Sequence, residues 1–312
     1  VTDSFESQVR RQEVSSFQIV PEEDKSMNVA IVGPTGVLGR ALVPLLLQKG
    51  YRVHALARSP EKVHKLFPQV ADIFECDLLA ISTDDLASML EGCDAVVHIA
   101  TAIPRDFTAP HAMDVTNRLR TDGVRKLLDV SLEVGARRYI QQSITMAYPD
   151  HGDDWISEDM PLDSSPERAE ICAPVIAMEQ MVRDIPLDEL EWCILRGGTF
   201  VGKGTFQEDR IERLRSGDEI VPCDGRNFTS LVHVADMASA VAAAIDHAPA
   251  GSVFNVVDEP LRNGEYLDRL AASIGAARPR RDRKADCTPS WRCSNQAAKA
   301  KLMWQPLHGI TP

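Results

Sequence analysis

No apolar stretch in this 312-residue chain approaches the roughly 18 residues that a bilayer crossing requires; residues 41–47 fall far short. The chain also lacks the cationic excess that a phosphate backbone would attract. Its 34 Lys and Arg stand against 46 Asp and Glu, a net charge of −12. Nucleic acid is thereby disfavoured as a partner, although one small basic pocket is compatible with the balance. Cysteine is scarce and odd in number, seven in all with no CxxC spacing, which argues against a disulfide framework and against a zinc site. Residues 1–26 are polar, carry no signal-peptide apolar segment, and read as a disordered tail. The expectation is a soluble cytoplasmic protein with no membrane partner and no metal, long enough for one large domain or two modest ones.

From Met27 onward short β-branched apolar runs alternate with helical patterns. The runs lie at 28–32, 52–57, 72–76, 95–99, 138–142, 191–195 and 252–256. Helical patterns lie between them, at 38–49, 83–90, 115–134 and 175–183 among others. Strands apolar on both faces and separated by helices predict a parallel sheet in a doubly wound α/β fold. Ligands in such folds sit beyond the carboxyl ends of the strands, so function belongs to the loops that follow each run.

The first run leads into Gly33-Pro-Thr-Gly-Val-Leu-Gly39, and a helix follows at once. Glycines there permit a tight turn and close backbone approach to a pyrophosphate, while the helix N-terminus offers free N–H groups. Gly33, Thr35 and Gly36 with Val37, Leu38 and Gly39 are therefore the candidate phosphate cradle. Arg58 follows the second run, where an NAD site would place an acid for the ribose 2′-OH. A guanidinium pairs instead with a 2′-phosphate, which favours NADP(H) over NAD(H).

The GxxGxxG spacing, Asp77-Leu78, AVVHIAT at 95–101, ILRGGTFVGKGT at 194–205, SLVHVADMASAV at 230–241 and FNVVDEP at 254–260 occur in that order. With them the chain resembles the extended, atypical branch of the short-chain dehydrogenase/reductase superfamily, the NAD-dependent epimerase/dehydratase-like proteins. The resemblance covers nearly everything from Met27 to the end. It implies a Rossmann dinucleotide-binding domain from 27–200 and 228–258, with a smaller substrate-side lobe from 201–227 and 259–312. It further implies that Asp77 and Leu78 approach the adenine and that Ala100 and Thr101 flank the adenosine and phosphates.

The chemistry of that superfamily joins a tyrosine acid to a lysine four residues later and to an upstream Ser or Thr. An alkoxide formed by hydride transfer must be protonated, and a nearby ammonium lowers a phenol from its ordinary pKa near 10. Aligned by the resemblance, these three positions are Ile171, Val175 and Ile144. Ser143, Thr145 and Tyr148 remain as polar candidates in the adjoining loop, though loop hydroxyls more often bond to backbone. Cys172 reads as a buried thiol, and His98 and His233 as satisfied core histidines. Asp236 reads as a helix cap or local acceptor.

The substrate side is expected from 104–111, 148–168, 200–227 and 261–312. Asp153, Asp154, Glu158, Asp159 and Asp163 read as a solvated acidic face. Ile144, Met146, Ile171 and Val175 would line an apolar floor suited to a flat or hydrophobic small molecule. A sugar nucleotide would need cations for its diphosphate, for which Arg105, Lys203, Arg210 and Arg213 are the candidates. The reading that results is an NADPH-dependent oxidoreductase acting on a small apolar or quinone-like acceptor. Two alternatives stand beside it: a dinucleotide-sensing regulator without catalysis, and a redox-neutral cyclase or isomerase.

Overall fold

The computed structural model describes residues 27–104, 106–107 and 109–312, so the tail at 1–26 and Arg105 lie outside the described residues. The seven apolar runs form one parallel sheet. Its strands are β1 (Asn28–Val32), β2 (Arg52–Ala57), β3 (Asp72–Glu75), β4 (Ala95–His98), β5 (Arg138–Ile144), β6 (Glu191–Gly197) and β7 (Ser252–Val256). Their spatial order is β7-β6-β5-β4-β1-β2-β3. Val32 is therefore flanked by Leu56 on one side and His98 on the other. The direction of winding reverses between β1 and β4, which opens a crevice beyond the end of β1.

Side chains alternate across the sheet with the period of two that extended chain imposes. Val29 and Ile31 face one layer, with α1 (Val37–Gln48) and α8 (Val234–His247). Ala30 and Val32 face the other, with α3 (Thr83–Leu90), α5 (Val124–Glu133) and α6 (Ala169–Arg183). Full burial of each large aliphatic side chain here contributes roughly 1.5–3 kcal/mol. A separate small core of Leu214, Val221, Tyr266, Leu267 and Leu270 builds the C-terminal lobe around α7 (Phe206–Ser216) and α9 (Asn263–Ser273). The last stretch returns to the main core, where Ala298, Leu302 and Trp304 pack. Among the described residues no helix is long and apolar enough to cross a membrane.

Three features depart from the sequence expectation. The helical pattern at 115–134 is divided into α4 (Asp114–Arg118), a π-helical turn at Leu119–Gly123, and α5. α6 begins at Ala169 rather than after Pro174, because the carbonyl of Glu170 that Pro174 leaves without a donor is taken at 3.1 Å by Asn117 Nδ2. One disulfide does form, joining Cys223 to Cys287, while the other five cysteines are buried and free. Its partners are 64 residues apart, a pairing that local spacing does not reveal.

His98 ends β4 in full burial, with Nδ1 3.1 Å from Gln141 Oε1 and Nε2 without a partner. Burial lowers its pKa from 6.5 to about 4. The folded protein thus refuses a proton that the unfolded chain accepts below about 6.5. Stability from this site is whole above that pH and is lost as pH falls toward 4, by about 3 kcal/mol. Denaturant melts across that window should show the loss, and His98→Gln should flatten it; an unchanged slope in the variant would remove His98 as the cause.

Candidate active site

The cradle is shaped by what its glycines leave out. Gly33 adopts φ +102°, and a Cβ there would lie 2.8 Å from the backbone of Ala100, so only glycine lets the β1 and β4 loops meet. At Gly39 a Cβ would lie 2.4 Å from the carbonyl oxygen of Pro34, so close helix–turn packing is equally strict. Gly36 differs. A Cβ there would meet only the carbonyl oxygen of Gly33, at 3.4 Å, and would otherwise project into open space at the start of α1. No side chain caps that helix and no acid lies in its first turn, so the N–H groups of Val37 and Leu38 and the positive dipole end stay available. Arg40 Nε fastens the turn by donating to the Thr35 carbonyl at 3.0 Å. These residues fit a dinucleotide pyrophosphate.

Arg58 follows β2, exposed and without a hydrogen bond or ion pair to any described residue. Next to it Ser59 caps α2 (Pro60–Leu66) by accepting from Lys62 N. Asp77 organises the turn after β3: its Oδ1 accepts from Leu79 N at 3.1 Å and its carbonyl from Ala80 and Ile81. Leu78 is buried against Gly123, where a Cβ would come within 2.9 Å of its Cδ2. Lys126 Nζ holds the same turn through the carbonyls of Leu78 and Ile81. Ala100 is partly buried and Thr101 exposed, and their loop is anchored where Thr116 Oγ1 accepts from Ala102 N at 3.1 Å. The cradle and these turns all lie beyond the carboxyl ends of β1 to β4.

At the ends of β5 and α6, Val175 and Cys172 are fully buried, and Ile144 and Ile171 pack half-buried against the same apolar cluster. Met146 remains exposed. Burial raises the Cys172 pKa, as expected of a core thiol. The three polar candidates of the loop are directed elsewhere. Ser143 Oγ donates to Glu179 Oε1 at 2.7 Å, and Thr145 Oγ1 donates to the Gly197 carbonyl at 3.3 Å. Tyr148 is fully buried; its hydroxyl donates to Asn255 Oδ1 at 2.9 Å and accepts from Arg196 Nη1. Burial pushes the Tyr148 phenol up, against the opposing pull of Arg196. In this conformation none of the three hydroxyls is free to face an acceptor.

The residues that gather the Ser143 and Tyr148 hydroxyls escaped the sequence reading. Glu179 on α6 and Arg196 on β6 are both only 3% exposed and form a bidentate pair, at 2.9 Å from Nε and 2.6 Å from Nη2. Burial alone would lower the Arg196 pKa, but Glu179 and Tyr148 raise it overall. A lone arginine inside the apolar strand run 192–197 was the available signal.

The acidic loop is less solvated than expected. Glu158 is partly buried and accepts from Asn255 N at 2.8 Å, its pKa raised by burial, while Asp163 is buried beside Arg168. Asp153 pairs with Arg262. Arg210 and Arg213 both pair with Glu219, which removes them as cations for a diphosphate; Lys203 stays exposed. His233 accepts from Ala235 N as the cap of α8. Asp236 bonds at long range rather than locally, taking the backbone N–H groups of Leu307 and His308 at 3.0 Å and His308 Nδ1 at 2.7 Å. A cavity of about 1040 Å³ on the C-terminal lobe, lined by Arg226, Arg262, Arg281 and the disulfide, shares no residue with the cradle.

The family model described as the NAD dependent epimerase/dehydratase family matches residues 29–257. A 3-diazoavenalumate denitrifying reductase from a Streptomyces species is 31% identical over 301 residues, spanning 90% of this chain and 97% of that protein. Dihydroflavonol 4-reductase from Solanum lycopersicum is 36% identical over 114 residues, 34% of this chain and 28% of that protein. Among solved structures, a dTDP-glucose 4,6-dehydratase from Streptomyces venezuelae with NAD bound superposes with a TM-score of 0.75 at 20% identity, over 91% of this chain and 93% of that one. A UDP-glucose 4-epimerase from Thermus thermophilus, in complex with NAD, gives 0.74 at 19% identity over 91% and 95%. These last two likenesses are of fold.

The cradle geometry separates two glycine substitutions. Gly36→Val should fold, since its Cβ meets only an ordinary contact, yet lose dinucleotide binding because the side chain takes the phosphate's space. Gly39→Val should fail at folding, since its Cβ would overlap the Pro34 carbonyl. Calorimetric titration and thermal melts of the pair read both effects; undiminished affinity in Gly36→Val would refute the cradle.

Proposed function

The chain belongs to the NAD dependent epimerase/dehydratase family, and from that premise we propose that it is an NADP(H)-dependent reductase of a small apolar acceptor. The acceptor is one that takes up a hydride without a proton from a side chain. The observation that carries this reading is the contrast between a complete cradle and an aliphatic floor. Gly33, Gly36 and Gly39 leave the space a pyrophosphate requires, while Ile144, Ile171 and Val175, packed in one apolar cluster, occupy the positions that the family resemblance assigns to a hydroxyl, a phenol and an ammonium.

When bound, the nicotinamide supplies a hydride, which brings both electrons and the hydrogen nucleus. Gly36 and the N–H groups of Val37 and Leu38 bind the phosphates. Arg58 pairs with a 2′-phosphate, and Leu78 and Ala100 bound the adenosine. Ile144 and Ile171, half-buried, exclude water from the reacting face and orient a flat acceptor by contact, with Val175 buried in the same cluster. A ketone is a poor partner for such a floor, because its alkoxide must be protonated. A quinone-like or conjugated acceptor spreads the incoming charge, and a diazonium carbon that receives hydride loses dinitrogen and needs no proton at all. The relative whose name describes denitrifying reduction of a diazo compound supports the last of these classes.

Two measurements test the reading. Arg58→Asp should weaken NADPH binding by about ten- to a hundredfold, the range of a lost charge-assisted contact, and leave NADH nearly untouched. Equal loss for both cofactors would make Arg58 structural and end the NADP(H) preference. An acceptor panel with NADPH should show turnover on a quinone or an aryl diazonium and none on a simple ketone. Ile171→Ala and Val175→Ala should then alter acceptor affinity without the roughly 10²–10⁴-fold loss that follows removal of a general acid. Ketone reduction with a tyrosine-like pH profile would overturn the mechanism. Binding of NADPH without turnover of any acceptor would favour a dinucleotide-sensing regulator, and conversion without cofactor consumption a cyclase or isomerase.

A further inference from the structure

Three arginines are buried among the described residues, and two of them have their charge met. Arg196 is paired with Glu179, and Arg138 with Glu191 and the carbonyls of Ala244 and Ile245. The third, Arg120, is 7% exposed and makes no hydrogen bond or ion pair with any described residue; its Nη1 is fully enclosed without an acceptor. Burial lowers its pKa to about 10, so it remains a cation at neutral pH. Cys172 acts on it electrostatically, but burial raises the pKa of that thiol, so it is neutral and offers no counter-charge.

The surroundings of Arg120 belong to the candidate site. It lies in the π-helical turn Leu119–Gly123, whose Gly123 receives Leu78, and it borders α6 at Cys172, beside Ile171. One turn earlier Asn117 donates to Glu170 but leaves its buried Oδ1 without a partner. A guanidinium that is largely buried, with one nitrogen enclosed and no counter-charge, is costly to folding, because neither Coulomb attraction nor a protein hydrogen bond offsets its desolvation. A water molecule can accept its hydrogen bonds but cannot neutralise its charge. An oxyanion does both, and the planar fork of arginine matches a carboxylate in two parallel bonds.

We propose that Arg120 is the anion receptor of this cleft and pairs with the carboxylate of an apolar, preferably aromatic, acceptor. The proposal rests on the reductase reading above and adds to it the class of acceptor: an organic acid. A dinucleotide phosphate offers the same oxyanion chemistry. The cradle already serves the pyrophosphate and Arg58 a 2′-phosphate, whereas Arg120 borders α6, which carries the acceptor floor.

The test titrates benzoate, cinnamate and 2-naphthoate, each against its amide, into the full chain with NADP+ and again without it. Wild type should bind at least one acid over its amide by about tenfold or more, the lower range for a charge-assisted pair. Arg120→Met should abolish that preference while keeping NADP+ affinity and an unbound melting temperature equal to or above wild type. Arg120→Lys, which retains a cation, should keep part of the preference. Loss of NADP+ affinity in Arg120→Met with the acid preference intact would assign Arg120 to the cofactor and overturn the proposal. So would the absence of any acid preference in wild type, or a lowered melting temperature in both Arg120→Met and Arg120→Gln. Failure of wild type to bind NADP+ would count against the reductase reading instead, since the cofactor-free titration still judges Arg120.

Discussion

The buried pair of Glu179 and Arg196 joins α6 to the sheet behind it. Two charges held at 3% exposure are tolerable only when every bonding position is used, and breaking such a pair from one side costs about 3–5 kcal/mol. Ser143 supplies one donor to the carboxylate; the Tyr148 hydroxyl and the Glu158 carbonyl receive the remaining guanidinium edge. Asn255 and Glu158 close the circuit from β7 and the loop after Tyr148. The polar side chains nearest the candidate site are thus committed to holding α6, β5 and β6 in place. They are structural because the pair needs them, and their neighbours Ile144, Ile171 and Val175 pack in one apolar cluster.

The cradle works by a different economy of space. Gly33 and Gly39 are held by contacts within the protein, since a Cβ at either would strike backbone at 2.4–2.8 Å. Gly36 is constrained by nothing inside the fold except one carbonyl oxygen at 3.4 Å. Two glycines therefore shape the turn and the third leaves room beside a helix terminus whose N–H groups no side chain caps. Steric necessity within the fold and accommodation of a ligand are separable in this motif, residue by residue.

Much of this was legible from the chain alone. The short β-branched apolar runs, separated by helical patterns, located all seven strands of the sheet, and the glycine spacing located the turn after β1. What local pattern could not carry were contacts whose partners are distant. Pro174 reads as a helix boundary until Asn117, 53 residues from Glu170, satisfies the freed carbonyl. Asp236 reads as a local cap until the chain returns 71 residues later. Glu158 reads as part of a solvated acidic run until the backbone of Asn255 draws it inward. The hydroxyls of Ser143 and Tyr148 look available in sequence because nothing beside them announces Glu179 or Arg196. The disulfide escaped for the same reason.

Charge placement ties these observations together. Arg120 borders Cys172, and residue 175 lies one helical turn further along α6. A lysine at 175 would bring a second cation into a region where burial already penalises the first, and two like charges in low dielectric disfavour each other. An arginine at 120 and a valine at 175 are therefore mutually consistent choices. The same burial that makes Val175 a good wall makes it a poor site for an ammonium, and without that ammonium a tyrosine at 171 would lose the partner that lowers its phenol pKa in the pair. Replacing one member of the proton-handling pair removes the physical advantage of retaining the other. With 144, 171 and 175 at the proton-handling positions that the family resemblance implies, aliphatic residues at all three are the expected end of that coupling, in keeping with the proposed acceptors whose reduction leaves no alkoxide to protonate.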